Sequence, residues 1–201
     1  MLESIHCQSP LVQIDLSQFE QASAIELREI PFQGHLNLRG RPDNAAFVGA
    51  VTKVLGVEPP TKANTFVIAD ELNIYWLGPD EWLIITPSDQ QTDLRARLEG
   101  ALQGVFSSVN DVSSGQTIIS ITGANARALI EKGCPIDLHP REFKTGDCAQ
   151  TRLAKAGVLI SAVDDTPTYH LVVRRSFSDY LGLWLLDAVA EFSGPKAGRP
   201  D

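Results

Sequence analysis

The chain has 201 residues, of which 43% are hydrophobic and 21% charged, and its formal net charge is −8. A chain of this length buries about 70% of the surface that its unfolded form exposes, so its core needs no disulfide or structural metal. The acidic balance argues against nucleic-acid binding, which requires clustered lysine and arginine side chains.

The cysteines and the start of the chain bear on the cellular compartment. Cys7, Cys134 and Cys148 are odd in number and share no CxxC spacing, which predicts reduced thiols instead of a disulfide framework or a zinc site. No apolar run reaches the roughly 18 residues of a membrane span, and the first residues lack the basic and apolar regions of a signal peptide. We therefore expect a cytoplasmic protein that does not cross a membrane.

The predicted elements begin after a weakly patterned start. Residues 1–30 show no sustained period, and we expect an N-terminal arm or edge segment there; residues 31–110 are interpreted as a first α+β repeat. Leu36 and Leu38 alternate with polar neighbours and predict a strand. Asp43 is placed to cap the helix that follows. Its predicted apolar stripe consists of Phe47, Val51, Val54 and Leu55.

Three strands and a second helix complete the first repeat. Pro59 and Pro60 are expected to stop the first helix. The three strands are predicted at residues 65–69, 72–77 and 82–86. Ser88 and Gln91 form a capping-box pattern for a helix that Gly104 ends. That helix is predicted to bury Leu94, Leu98, Ala101 and Leu102.

Residues 111–194 repeat this order. Ile119 and Ile121 predict a strand, and Gly123 opens a short helix that Gly133 ends. Three further strands are predicted at residues 148–153, 158–163 and 169–173. Ser176 and Asp179 are interpreted as the cap of the last helix, with an apolar stripe of Phe177, Leu181, Trp184, Leu185, Ala188 and Phe192. Residues 195–201 are expected to be a disordered tail.

The two repeats lie about eighty residues apart, as three pairs of corresponding positions show. These pairs are Leu38 with Ile121, Pro60 with Pro140, and Trp82 with Tyr169. A period this long indicates an α+β fold of two fused β-α-β-β-β-α units and not a solenoid, whose repeats are shorter. Each unit is too small to bury both of its faces. We therefore expect the units to pack against each other or to join their strands in one sheet.

The sequence carries no familiar catalytic signature. It has no dinucleotide fingerprint, no P-loop, no HExxH and no GxSxG motif, and its histidines have no partner at helical spacing. Cys134 follows a helix end, where the dipole disfavours a thiolate. His170 lies within a strand, and a structural role there is favoured over catalysis. We expect neither a catalytic residue nor a metal site in this chain.

A small-ligand site is the weaker of two interpretations of the loop charges. Asp111 and Asp137 lie in or near loops, and a cavity formed by them with Arg174 would be the candidate site. The alternative is that these charges are solvated and bind nothing.

Arg174, Arg175 and Trp184 are candidate interface residues. The two arginines come at the start of a predicted helix, where the helix dipole does not favour cations, which points to a partner carboxylate or a bound anion. A salt bridge to Asp179 or Asp187 is the alternative. Trp184 is included because aromatic residues concentrate at the centres of interfaces.

Four segments together carry a resemblance to a known family. They are residues 78–83 (GPDEWL), 133–141 (GCPIDLHPR), 146–151 (GDCAQT) and 173–181 (VRRSFSDYL). With these segments in this order, the chain resembles the gamma subunits of heterotetrameric sarcosine oxidases over residues 25–192. The resemblance implies a non-catalytic subunit whose role is assembly and stabilisation of the alpha subunit.

This family resemblance also implies cofactors and partners. The holoenzyme demethylates sarcosine to glycine oxidatively, passes the one-carbon unit to tetrahydrofolate or releases formaldehyde, and forms hydrogen peroxide. FAD, FMN, NAD and the tetrahydrofolate site belong to the alpha and beta subunits, and zinc belongs to delta. The gamma chain is then expected to bind no cofactor and to pack against the other subunits, alpha most directly.

A wider resemblance concerns the fold. Asp111, residues 122–126 (TGANA), Asp137 and residues 150–151 are similar to the folate-binding aminomethyltransferase domain of the glycine cleavage T-protein. Gln150 stands where that domain usually has a tyrosine. This resemblance implies an aminomethyltransferase-like fold. It leaves open a stand-alone folate-binding or one-carbon-transfer protein, and a structural adaptor for another partner.

Overall fold

The structure, a computed structural model, describes residues 7–19 and 24–193. Within these residues the strands are β1 (Glu26–Ile30), β2 (Gly34–Gly40), β3 (Phe66–Ala69), β4 (Leu72–Gly78), β5 (Glu81–Thr86), β6 (Ser107–Asp111), β7 (Gln116–Thr122), β8 (Cys148–Leu153), β9 (Ala156–Asp164) and β10 (Thr168–Arg174). The α-helices are α1 (Ala45–Leu55), α2 (Gln91–Ala101), α3 (Ala126–Glu131) and α4 (Arg175–Ala190). The predicted tail at 195–201 lies outside the described residues.

The strands form two antiparallel five-stranded sheets. The first has the order β3-β4-β5-β2-β6 and the second the order β1-β7-β10-β9-β8. In the first, β6 pairs with β2 so that Val109 lies opposite Leu38. In the second, β1 pairs with β7 so that Leu27 lies opposite Ile121. When the repeats are counted from β1 and from β6, each therefore begins with a strand that joins the sheet of the other repeat.

These exchanged strands add one element to the predicted unit, which is β-β-α-β-β-β-α. Neither β1 nor β6 had been predicted as a regular strand, because each is short and lies at a sheet edge. Leu27 is the buried side chain of β1, and Val109 is the buried side chain of β6. A single buried residue produces no period-2 pattern to read.

The molecule has four layers, in the order helix, sheet, sheet, helix. Helices α1 and α2 cover the first sheet around Phe47 and Trp82, and α3 and α4 cover the second around Leu129 and Leu185. Between the sheets lies a third core of Phe66, Tyr75, Leu83, Ile85, Ile118, Cys148, Leu159 and Val172. The two repeats thus pack face to face, which is one of the two arrangements expected, and each sheet also contains one strand of the other repeat.

The N-terminal segment contributes to this packing. Leu11 and Leu16 are buried in the core of the second sheet. A Cβ atom placed on Gly182 of α4 would lie 3.1 Å from a methyl group of Leu11 and 3.3 Å from one of Ile14. The segment therefore lies directly on α4. No helix among the described residues has the length and apolar character needed to span a membrane.

Helix α1 begins and ends at other residues than predicted. Its N-cap is Asn44, whose side chain accepts hydrogen bonds from the backbone N–H groups of Ala46 at 2.9 Å and Phe47 at 3.4 Å. Asp43 instead pairs with Arg41 at 3.0 Å. The helix ends before Gly56, which adopts φ of 78°, so a left-handed glycine terminates it before the prolines do.

The predicted caps of α2 and α4 are also wrong. The N-cap positions are Gln90 and Arg174, and neither side chain makes a capping hydrogen bond. Helix α4 starts directly after β10, which leaves no loop in which a Ser176 cap could sit. Ala101 and Phe177 are exposed, contrary to the predicted apolar stripes.

Candidate subunit interface at the inter-sheet cleft

Side chains between the two sheets change from apolar to polar along each strand. Alternate residues of a strand point to the same face. On β5 this series runs Ile85, Leu83, Glu81, and on β8 it runs Cys148, Gln150, Arg152. The apolar ends pack as the inter-sheet core, and the polar ends line an open cleft.

This inter-sheet cleft has a volume of about 830 Å³. Its apolar floor includes Leu83, Leu159 and Val172, which belong to the core between the sheets. Its polar lining consists of Asn37, Glu81, Asn110, Gln116, Gln150, Thr151, Arg152 and Arg174. Both sheets thus contribute polar groups that are accessible to a partner.

Hydrogen bonds hold the walls of the cleft in place. Gln150 Nε2 donates to the carbonyl of Leu77 at 2.7 Å, which joins the second sheet to the first. Asn37 Nδ2 donates to Glu81 Oε1 at 2.8 Å. In contrast, Gln116 Oε1 is buried and accepts no hydrogen bond from any of the residues that the structure describes.

Arg152 and Arg174, called the cationic mouth below, are exposed arginines that line the cleft. Two further exposed cations, Lys155 and Arg175, follow them closely in the chain, and Arg175 lines a separate groove. No carboxylate of the described residues lies within 4.0 Å of any of them, so the alternative salt bridges to Asp179 or Asp187 are not formed. Arg175 instead donates a long hydrogen bond to the carbonyl of Gln8 at 3.4 Å.

Helix α4 adds an exposed apolar face beside this mouth. Phe177 is 41% exposed, Tyr180 37% and Leu183 60%, and their spacing places them on one side of the helix. The Tyr180 hydroxyl accepts a hydrogen bond from the backbone N–H of Lys155 at 3.3 Å, in the turn between β8 and β9. Phe177 also lines the cleft, so the apolar face and the cleft form one continuous surface.

Trp184 is half-buried and packs inward. A Cβ atom placed on Gly133 would lie 2.7 Å from its ring, so a glycine is needed where the indole crosses the end of α3. Trp184 is a predicted interface residue of this helix. Phe177 and Leu183, on the same helix, are more exposed than Trp184. Leu183 is an apolar residue outside the apolar stripe of this helix. An apolar residue in that position could have indicated an exposed contact surface.

Of the three predicted ligand residues, Arg174 alone lines the cleft. The Asp111 carboxylate accepts hydrogen bonds from the backbone N–H of Ser113 at 2.9 Å and from its hydroxyl at 2.5 Å. The Asp137 carboxylate accepts one from the backbone N–H of His139 at 2.8 Å. Both aspartates therefore order local turns away from the cleft lining.

The environments of the buried thiols of Cys134 and Cys148, and of His170 in β10, favour a structural role for these three groups. Burial raises the pKa of the Cys148 thiol to about 12, so the thiol stays protonated. Cys134 is buried, with its sulfur 4.0 Å from the Thr151 hydroxyl. Burial also lowers the pKa of His170. Across residues 7–19 and 24–193, no group of three or more His, Cys, Asp and Glu side chains could hold a metal ion.

Comparisons with known proteins point to one family. The model of the sarcosine oxidase, gamma subunit family matches residues 39–191. A sarcosine oxidase subunit gamma from an Arthrobacter species is 33% identical over 181 residues, covering 90% of this chain and 87% of that protein. A chain of the heterotetrameric sarcosine oxidase from Corynebacterium sp. U-96, solved with pyrrole 2-carboxylate, is 29% identical with a TM-score of 0.85, covering 96% of this chain and 99% of that one.

A second solved structure bears on the fold alone. The glycine cleavage system aminomethyltransferase T from Bartonella henselae superposes with a TM-score of 0.65 at 13% identity, covering 85% of this chain and 48% of that one. This match confirms the expected aminomethyltransferase-like α+β fold.

Proposed function

The chain belongs to the sarcosine oxidase gamma subunit family, and from this premise we propose that it is the non-catalytic gamma subunit of a heterotetrameric sarcosine oxidase. The complex would convert sarcosine to glycine by oxidative demethylation, with one-carbon transfer to tetrahydrofolate and formation of hydrogen peroxide. The observation that carries the proposal is the likeness, over nearly the whole of both chains, to a chain of a solved heterotetrameric sarcosine oxidase.

The proposal assigns chemistry and assembly to different chains. Alpha, beta and delta are the partners, alpha most directly, and they hold FAD, FMN, NAD, tetrahydrofolate and zinc. This chain holds none of these. The family resemblance supports this division, and so does the surface of the described residues, which offers an open cleft, unpaired cations and an exposed aromatic helix face.

In this proposal the chain fixes the folate-type domain of alpha beside the flavin-bearing subunit. The one-carbon intermediate then reaches folate without escaping. A permanent contact of this kind buries on the order of 2,000 Å² or more. We place the assembly in the cytoplasm, where free thiols such as those of Cys134 and Cys148 stay reduced.

Purification of the tagged chain from its native cell tests the subunit role. We expect a yellow complex with three companion chains, identified by mass, and flavin absorbance in the eluate. A colourless, solitary protein would contradict the proposal. Calorimetric titration with a reduced folate would then test the stand-alone folate-binding alternative.

Omission of this chain tests the assembly role. When alpha, beta and delta are expressed without it, we expect alpha to become insoluble or unstable, because its contact surface is left exposed to water. Stable and fully active enzyme without this chain would exclude an assembly role.

A further inference from the structure

The charge distribution around the inter-sheet cleft differs from that of the rest of the chain. The chain has a net charge of −8, yet the two arginines of the cationic mouth, Arg152 and Arg174, line the same cleft. Elsewhere the described residues pair most arginines with carboxylates, namely Arg28, Arg39, Arg41, Arg95, Arg97 and Arg127. The unpaired cations therefore form a local positive surface on an acidic protein.

The carboxylates that share a lining with Arg174 or Arg175 form no ion pair with them. Glu81 lines the cleft, but it accepts a hydrogen bond from Asn37 at 2.8 Å and lies 3.7 Å from Arg39. Asp179 lines a separate groove with Arg175 and the segment around Pro10, and lies more than 4.0 Å from the Arg175 guanidinium. Guanidinium groups bind carboxylates in paired, planar geometry. The complement of this mouth is a negatively charged group from another molecule.

The shape and hydrogen bonding of the cleft indicate a polypeptide segment as the occupant. The cleft continues onto Phe177, Tyr180 and Leu183, so a ligand that covers the whole surface must also present apolar side chains. Asn110 and Gln116 line the cleft with amide side chains, which carry both donors and acceptors and can pair with the N–H and C=O groups of a peptide. Strands and the Gln150–Leu77 hydrogen bond hold the walls, so little ordering is needed on binding.

From these observations we propose that the inter-sheet cleft, its cationic mouth and the exposed face of α4 bind one extended segment of a partner subunit. That segment carries aspartate or glutamate next to aromatic or aliphatic side chains. Arg152 and Arg174 bind its carboxylates, and Phe177 and Leu183 pack against its apolar side chains. The inference rests on the proposed function and specifies the surface and the partner chemistry.

Charge reversal within the co-expressed complex tests the inference. The tagged chain carries Arg174→Glu or Arg152→Glu, and the co-purified partner subunits are quantified at fixed salt. We expect each reversal to reduce partner recovery at least about tenfold, since it replaces attraction with repulsion at a desolvated contact. Arg141→Glu is the matched control, because Arg141 is exposed in a loop outside the cleft lining and pairs with no carboxylate of the described residues, and it should keep wild-type recovery.

A second pair of variants tests the apolar half of the surface. Phe177→Ala should lower partner recovery, and Phe106→Ala should not, although Phe106 is 89% exposed. A photo-reactive phenylalanine analogue at position 177 then identifies the bound segment. The expected cross-linked peptide contains Asp or Glu within a few residues of an aromatic or aliphatic side chain.

The outcomes separate this inference from the proposed function. If the wild-type chain recovers no partner, both are overturned. If it recovers the complex and the reversed variants recover it equally well, this inference alone is wrong. A cross-linked peptide without carboxylates, or a small anion bound in the cleft of an intact complex, also overturns it.

Discussion

His35 is 1% exposed on β2, and its surroundings disfavour the charged imidazole. Its Nδ1 lies 3.1 Å from the carbonyl of Gln33, while Nε2 has no hydrogen-bond partner among residues 7–19 and 24–193. Burial lowers the pKa of His35 to about 4, and the Gln33 carbonyl and the Asp111 carboxylate offset this only in part. His35 with its neutral imidazole therefore lies where the chain passes from one sheet to the other, and its backbone N–H donates to the Ser113 hydroxyl at 2.9 Å.

The lowered pKa of His35 predicts an acid-sensitive stability. Between pH 6.5 and pH 4 the unfolded chain binds a proton at this position that the folded chain does not, so the free energy of unfolding falls as the pH falls. The part of the free energy of unfolding that depends on the neutral His35 imidazole is fully present above pH 6.5. About 3 kcal/mol of it is lost by pH 4. His170 acts in the same direction, because burial lowers its pKa as well.

Urea unfolding of His35→Gln at several pH values tests this prediction. We expect a flatter dependence of the free energy of unfolding on pH than in the wild-type chain. His139→Gln is the control, because His139 is exposed in a loop, and it should retain the wild-type slope. Equal slopes for the wild type and His35→Gln would show that His35 is not the group responsible.

At the scale of elements, the exchanged strands matter more than their length suggests. β1 has five residues, yet it completes the second sheet at the edge of β7. Its attachment depends on Leu27, which is 3% exposed in the core beneath α4. Because β1 connects directly to β2 of the first sheet, Leu27 joins the two halves of the molecule.

Leu27→Ala should therefore destabilise the whole chain. Removal of a buried leucine side chain costs about 2–5 kcal/mol. Arg28→Ala, on the exposed face of the same strand, removes a surface ion pair with Glu26 and should change stability by less than about 1 kcal/mol. The urea midpoint and slope measure both effects. A small effect of Leu27→Ala would mean that β1 does not contribute to the folded core.

At the scale of the whole molecule, two exchanged strands and a shared inter-sheet core couple the repeats. Trp82 lies in the core of the first sheet, where its Nε1 donates to the carbonyl of Pro60 at 2.8 Å. Trp184 packs against the core of the second sheet. The two indoles therefore report on different halves of the structure.

We expect the chain to unfold in a single transition. In variants that retain only Trp82 or only Trp184, tryptophan fluorescence reports the unfolding of one half of the structure. Circular dichroism of the same variant gives the midpoint of unfolding of the whole chain, with which the fluorescence midpoint is compared. Coincident midpoints within each variant are expected, because neither sheet is complete without a strand from the other repeat. A separate fluorescence transition for either half would show two independent domains.

Much of the architecture could be predicted locally. Strand β8 spans residues 148–153 as predicted, and the last helix was correctly placed, since its buried residues recur at helical spacing over sixteen residues. Arg174 and Arg175 were selected from their position at a helix start. Arg152 and Lys155 were not predicted as interface residues. Their positions in a strand and in the turn after it do not indicate which residues lie near them in the folded chain.

The sequence by itself determined the duplication, the helix and strand types and the family, because each depends on local spacing or on short motifs. Only the tertiary structure decided that β1 and β6 change sheets, that Phe177 is exposed and that Arg152 and Arg174 line one cleft. Period-2 alternation shows which side chains share a face of a strand. It does not show which face meets the other sheet, nor where two packed sheets diverge, since both depend on contacts between residues far apart in the chain.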